Sequence, residues 1–284
     1  MDEGWRVSIG VIVFVLGGLL AFWGGSTYSA TNSVFYLVTL ITGCIALVVG
    51  VGLFSNVLSH IREHPMRVPG ICGVLAPIIG FVGMLFATQL YSDFSWFDNA
   101  LSDLGVVEGL TASLFNYGLI ISGVLALIFG LGLFAFPRKT VVETNTVTSK
   151  AAIQSRTRAK RAVTKVLGIV GALIFVAGAL ALTLTGIYPE SAKPMHYYSS
   201  VAFFVLIPVS MFVISAKFLL SSRVKMGLFA FIAAACAGIV WLVQFTVRPV
   251  AGDAIAETLS ALAVSAWIVV LGFKMYGETS LPNK

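Results

Sequence analysis

Eight long apolar runs, separated by shorter polar stretches, dominate this sequence and leave few folds open to it. A helix that crosses a bilayer needs about 20 predominantly apolar residues. Charged residues make up 11% of the chain, whereas a soluble domain carries about 25%. The sequence therefore predicts an all-α integral membrane protein with eight transmembrane helices. The predicted spans cover residues 5–23, 34–54, 68–90, 113–136, 164–187, 196–216, 226–247 and 255–276.

The basic residues indicate how these spans are oriented, because Lys and Arg accumulate in cytoplasmic connections. The polar segment 137–163 is rich in both. With this segment in the cytoplasm, every Lys and Arg except Lys193 and Arg248 lies on the cytoplasmic side. An even number of spans then places both termini in the cytoplasm. The formal charge of +6 thus reflects the basic residues that orient the spans in a cell membrane. Membrane lipids are the expected partners. No nucleic-acid partner is predicted.

The acidic residues divide the chain. Acids occur in each extracytoplasmic connection of the last six spans, whereas the first such connection, residues 24–33, carries no charge. We therefore predict an N-terminal transmembrane hairpin over 1–66 and a six-helix core bundle over 67–277. The core contains the basic cytoplasmic loop 137–163, and residues 278–284 form a tail.

The polar and aromatic stretch 91–105 interrupts the apolar pattern most strongly. Its spacing predicts a short interfacial or re-entrant helix, begun by Ser95 and ended by Gly105. Asn99, Ser102 and Asp103 stand at i, i+3 and i+4 and would share one face of that helix. This face either contributes to a pocket or belongs to an amphipathic cap that seals the helix ends.

Two further connections bring ionisable residues to the same side. His196 opens the sixth span, and a histidine suits proton transfer near neutral pH; it also suits helix capping. Glu257 lies at the head of the last span, where an unpaired carboxylate is costly. We expect it to pair with Arg248, His196 or Lys193, as part of a site or as a structural ion pair.

We predict that the three connections converge on one extracytoplasmic pocket. A divalent metal could be bound there by Asp103, His196 and Glu257. Alternatively, His196 could activate a serine or a water for acyl chemistry. The sequence has no short metal-ligand spacing and no nucleophile elbow, so both remain open. The candidate catalytic residues are His196, Asp103, Glu257 and Ser102, and the candidate binding residues are Asn99, Asp98, Asn116, Ser199 and Arg248.

The pattern Asn99-x-x-Ser102-Asp103-Leu-Gly105 resembles that of a prokaryotic membrane family, domain of unknown function 998. His196 at a helix start and Glu257 at the head of the last span fit the same pattern. The resemblance implies a six-helix bundle over 67–277, with the N-terminal hairpin outside it. It also implies a more distant similarity to the eukaryotic Frag/DRAM/Sfk membrane proteins, which are linked to lipid handling. It implies no particular reaction.

These observations favour a protein that binds or remodels lipid, with hydrolysis as one form of remodelling. The alternative is a non-enzymatic structural or accessory membrane subunit. A transporter is disfavoured because the core spans hold few ionisable residues near the midplane, where transporters place their sites. Whether the protein is an enzyme stays open at this stage.

Overall fold

The computed structural model of the protein describes residues 66–136 and 150–278. The chain divides into two compact units, Met1–Arg67 and Val68–Lys284, and the description below concerns the second. The predicted spans 5–23 and 34–54, the first part of the predicted basic loop and the end of the predicted tail lie outside the described residues.

The described residues form six α-helices and a short 3₁₀ helix, with no strand among them. All six α-helices are long and apolar enough to cross a membrane, so the protein is a multi-pass membrane protein. Each agrees with one predicted span of the core. The helices are α1 (Arg67–Leu90), the 3₁₀ helix (Leu101–Val106), α2 (Leu110–Leu133), α3 (Lys150–Ile187), α4 (Met195–Leu220), α5 (Val224–Thr246) and α6 (Ala254–Glu278).

One boundary differs clearly from the prediction. Helix α3 begins at Lys150, so the second half of the predicted loop 137–163 is helical. This segment is rich in Ala, Lys and Arg, which favour helices strongly. The segment is as polar as a loop because this part of the helix extends beyond the apolar span.

Consecutive helices pack side by side from α2 to α6, and glycines bring α1 against both α2 and α6. A Cβ atom at Gly83 would lie 2.7 Å from the carbonyl oxygen of Leu114 in α2. A Cβ atom at Gly70 would lie 2.7 Å from the carbonyl oxygen of Gly272 in α6. Small residues at such crossings allow close helix packing in membranes. Helix α6 also contacts α4, which leaves α5 at the side of the bundle.

An aromatic cluster fills the middle of the bundle. The Phe129 ring meets the Phe175 ring edge-to-face at a centroid distance of 5.4 Å and the Trp267 ring at 6.3 Å. All three side chains are buried. They join α2, α3 and α6 by packing, the contribution that stabilises helix association when lipid surrounds the bundle.

The two ends of the bundle differ in charge. At the basic end, α1, α3 and α5 begin and α2, α4 and α6 end; the described Lys and Arg residues lie there, apart from Lys193 and Arg248. At the opposite, acidic end lie the 3₁₀ helix and the connections 188–194 and 247–253. The candidate site residues belong to the acidic end.

Candidate functional site

The stretch 91–105 forms a turn followed by the 3₁₀ helix, so the predicted single helix from Ser95 to Gly105 is wrong. The backbone N–H of Ser95 donates to Asn99 Oδ1 at 2.9 Å. Asp103 Oδ2 accepts from the Asn99 side-chain amide at 2.8 Å and from the backbone N–H of Ala100 at 3.0 Å. Side chains of Asn and Asp that bind nearby backbone groups compete with helix formation. Here they hold a compact polar loop.

Two side-chain hydrogen bonds hold this loop together and attach it to α2. Ser95 Oγ donates to Asp98 Oδ2 at 2.5 Å, whereas the backbone N–H of Ser95, which a capping-box partner would bind, donates to Asn99 Oδ1. Asn116 in α2 donates from its side-chain amide to the carbonyl oxygen of Gly105 at 2.9 Å. The loop is therefore tied to α2 as well as to itself.

Backbone hydrogen bonds join this loop to the connection before α6. The N–H of Gly252 donates to the carbonyl oxygen of Phe97 at 2.7 Å, and the N–H of Ala254 donates to that of Asn99 at 2.9 Å. Gln244 Nε2 lies 2.9 Å from Asp253 Oδ1 and 3.0 and 3.3 Å from the carbonyl oxygens of Gly252 and Val250, so its two N–H groups are shared among three acceptors. These bonds fix the first turn of α6 against the loop.

The Glu257 side chain completes this junction. Its Oε2 accepts a hydrogen bond of 2.6 Å from the backbone N–H of Leu101, at the start of the 3₁₀ helix. Glu257 is 9% exposed. The predicted ion pair of Glu257 with Arg248, Lys193 or His196 is wrong, because a backbone donor supplies the partner instead.

The three expected partners bind elsewhere. Lys193 forms an ion pair of 3.6 Å with Glu190, and its side chain is 73% exposed. Arg248 Nη2 lies 3.4 Å from the carbonyl oxygen of Ala251 on the exposed surface. Both cations remain close to water, where a charge costs little.

His196 has a defined orientation. Its Nδ1 lies 2.7 Å from the carbonyl oxygen of Tyr188. A carbonyl oxygen only accepts hydrogen bonds, so Nδ1 carries the proton, and in the neutral ring Nε2 is an acceptor. The side chain is 6% exposed. Ser199, one turn later, donates to the His196 carbonyl oxygen at 3.0 Å, and its Oγ lies 3.2 Å from Thr185 Oγ1.

A cavity of about 120 Å³ lies inside the bundle, below the 3₁₀ helix. Its walls come from every described α-helix except α5, and most of its lining is apolar. Two serines, Ser122 and Ser265, lie deeper along their helices. The polar side chains that line it at the acidic end are Ser102, Thr185, His196, Ser200 and Glu257.

The family comparison agrees with this architecture. The model of a family described as protein of unknown function, DUF998, matches residues 74–148 and 151–274. The chain belongs to the DUF998 family. The match covers most of α1 to α6, so the resemblance drawn from the residues between Asn99 and Gly105 is confirmed. Neither the curated proteins nor the solved structures give a significant match.

The predicted site of this DUF998 protein divides into two groups. Three of the four candidate catalytic residues, Ser102, His196 and Glu257, line the same cavity. The fourth, Asp103, accepts hydrogen bonds from Asn99 and Ala100 within the loop. None of the candidate binding residues Asn99, Asp98, Asn116, Ser199 and Arg248 is part of the cavity lining.

Thr185 and the deeper serines are lining residues that the sequence reasoning missed. A hydroxyl residue within an apolar run could have indicated them. The same pattern also occurs where the hydroxyl binds a backbone carbonyl of its own helix. Thr185 does donate to the carbonyl oxygen of Ala181 at 2.9 Å. Within 66–136 and 150–278, no group of three or more His, Cys, Asp and Glu side chains is arranged to hold a metal ion.

Proposed function

We propose that this DUF998 protein binds an amphipathic lipid in the cavity. The alkyl part of the lipid lies between the helices, and its polar head lies at the acidic end. The observation that carries the proposal is the composition of the lining, which is mostly apolar along its depth and polar at one end through Ser102, His196 and Glu257. That distribution matches the distribution of polarity in a lipid.

The size and surroundings of the cavity support a single alkyl chain. An apolar cavity of about 150 Å³ takes up a molecule the size of benzene, so a cavity of about 120 Å³ accommodates a segment of one chain. An empty apolar cavity forfeits dispersion contacts on its inner surface. Lipid chains from the surrounding bilayer would restore those contacts without crossing water.

A cavity-filling substitution tests this proposal. Ala261 in α6 lines the cavity, whereas Ala266, five residues later, is exposed on the outside of the bundle. We expect Ala261→Phe to remove a co-purifying lipid that native mass spectrometry detects on the wild-type protein, and Ala266→Phe to retain it. The proposal fails if both variants retain the lipid, or if the wild-type protein carries none.

We propose further that the cell membrane holds the protein with eight spans, both termini in the cytoplasm and the acidic end outside. The support is the clustering of described Lys and Arg residues at the basic end, opposite the 3₁₀ helix. Cysteines placed at the exposed positions Ser92 and Lys225 test the orientation in a background without native cysteines. An impermeant maleimide should label the first in intact cells and the second only after lysis.

Hydrolysis of the bound lipid is a second candidate function, favoured by the orientation of His196. With Nδ1 donating to the Tyr188 carbonyl oxygen, Nε2 is available as a general base. The Ser102 hydroxyl instead donates to Glu190 at 3.2 Å, so the base would activate water. A His196→Asn variant keeps a donor for Tyr188 and removes the base. Loss of turnover on a lipid ester with unchanged lipid binding would support hydrolysis; equal turnover would exclude this role.

A further inference from the structure

The polar end of the cavity offers hydrogen-bond acceptors and few donors. Glu257 Oε2 is engaged by Leu101, whereas Glu257 Oε1 has no hydrogen-bond donor among the residues that the structure describes. His196 presents Nε2, which accepts in the neutral ring because the proton is on Nδ1. Both side chains are more than nine-tenths buried and line the cavity.

The hydroxyl donors nearby are mostly committed. Ser102 donates to Glu190, and Thr185 lies within bonding distance of the Ala181 carbonyl oxygen and of Ser199. The backbone N–H of Leu101 is used by Glu257. An anionic head group that needs several donors would find Ser200 as the remaining hydroxyl in the polar part of the lining.

The charged groups that act on Glu257 are all acidic. The carboxyl groups of Asp103, Glu190 and Asp253 act electrostatically on Glu257. No Lys or Arg side chain is part of the cavity lining. Lys193 is bound to Glu190 near the surface. A carboxylate or phosphate head would therefore meet like charge in a medium of low dielectric, whereas a cation would be attracted.

From these contacts we infer that the ligand is a long-chain amine, whose ammonium N–H groups donate to Glu257 Oε1 and His196 Nε2. The inference rests on the proposed function and specifies its head group. An ammonium carries three donors and no acceptor, which complements an acceptor-rich end. Its positive charge also compensates the buried carboxylate of Glu257, which has no ion-pair partner among the described residues.

Two matched photoreactive probes test the head group. One is a primary alkyl amine and the other is the fatty acid of the same chain length, each with a diazirine in the chain. Full-length protein in a non-ionic detergent is irradiated with each probe, and labelled peptides are mapped by mass spectrometry. We expect the amine to label cavity-lining residues of α4 and α6 at least about tenfold more than the fatty acid, as one charge-assisted hydrogen bond would give.

A charge-neutralising variant and its control complete the test. In Glu257→Gln the side-chain oxygen still accepts from Leu101, so the junction persists while the charge is lost. We expect this variant to lose about tenfold of the amine labelling, and Glu108→Gln, which alters an exposed acid at the same end, to label as the wild type does. Cavity labelling by the fatty acid equal to that by the amine, or amine labelling unaffected by Glu257→Gln, would overturn the inference and leave lipid binding in place. Absence of cavity labelling by both probes would instead overturn the proposed function itself.

Discussion

Gly252 lies where the connection before α6 crosses the loop 91–100, and no side chain fits between them. A Cβ atom there would lie 2.3 Å from the carbonyl oxygen of Asn99 and 2.4 Å from the carbonyl carbon of Asp98. Both atoms belong to backbone, which cannot rotate out of the way as a side chain could. A Gly252→Ala substitution must therefore separate the two segments.

The cost follows from the contacts that such a separation breaks. The Gly252 and Ala254 N–H groups donate across this crossing to Phe97 and Asn99. A protein hydrogen bond contributes about 0.5–1.5 kcal/mol, so the loss of both destabilises by about 1–3 kcal/mol. For a domain of this size that corresponds to a fall of about 2–12 °C in Tm.

The assay is thermal unfolding of the purified protein in detergent, with Gly238→Ala as the matched control. A Cβ atom at Gly238, in α5, would meet no atom within 4 Å. Because alanine favours a helix over glycine by up to about 1 kcal/mol, this control should keep or slightly raise the Tm. An unchanged Tm for Gly252→Ala would refute the close backbone crossing.

Two further substitutions test the junction and the core. Gln244→Leu removes the donors to Val250, Gly252 and Asp253 and should destabilise the protein by about 1–3 kcal/mol, because buried acceptors lose their partner. Gln89→Leu, at an exposed position, should leave the Tm unchanged, and equal Tm values for the two variants would contradict the role of Gln244. Phe129→Ala should cost about 1–3 kcal/mol, less than the about 3–5 kcal/mol of a water-soluble core, since the unfolded reference state also lies in apolar surroundings. Phe273→Ala, on a side chain that is 61% exposed, should change the Tm little, and comparable losses for both variants would argue against the central aromatic cluster.

The sequence predicted the six helices of the core well, because the thickness of a bilayer imposes their length and polarity. It placed the start of α3 too late, because the helical extension from Lys150 is as polar as a loop. For the segment after Ser95 the error was the reverse, because one continuous helix was predicted where the structure has none. Its helical spacing is real, yet the Asn99 and Asp103 side chains bind each other and the backbone and favour a turn and a 3₁₀ helix.

The site was predicted in part for a related reason. The positions of His196 and Glu257 at helix starts predicted that both lie at one end of the bundle, and both line the cavity. The partner of Glu257 is a backbone N–H, that of Leu101, and every residue except proline offers such a donor. Such a donor leaves no mark in a sequence, whereas the ionisable partners that the sequence suggested bind elsewhere: Lys193 and Arg248 near the surface and His196 to Tyr188.

We propose that an amphipathic molecule occupies the cavity with its polar head between His196 and Glu257. An experimental density map of the protein in lipid nanodiscs tests it most directly. We expect an elongated non-protein feature along the apolar lining, ending within hydrogen-bonding distance of Glu257 Oε1 and His196 Nε2. A cavity closed by side chains, or one that holds only separate waters at these two groups, would contradict it.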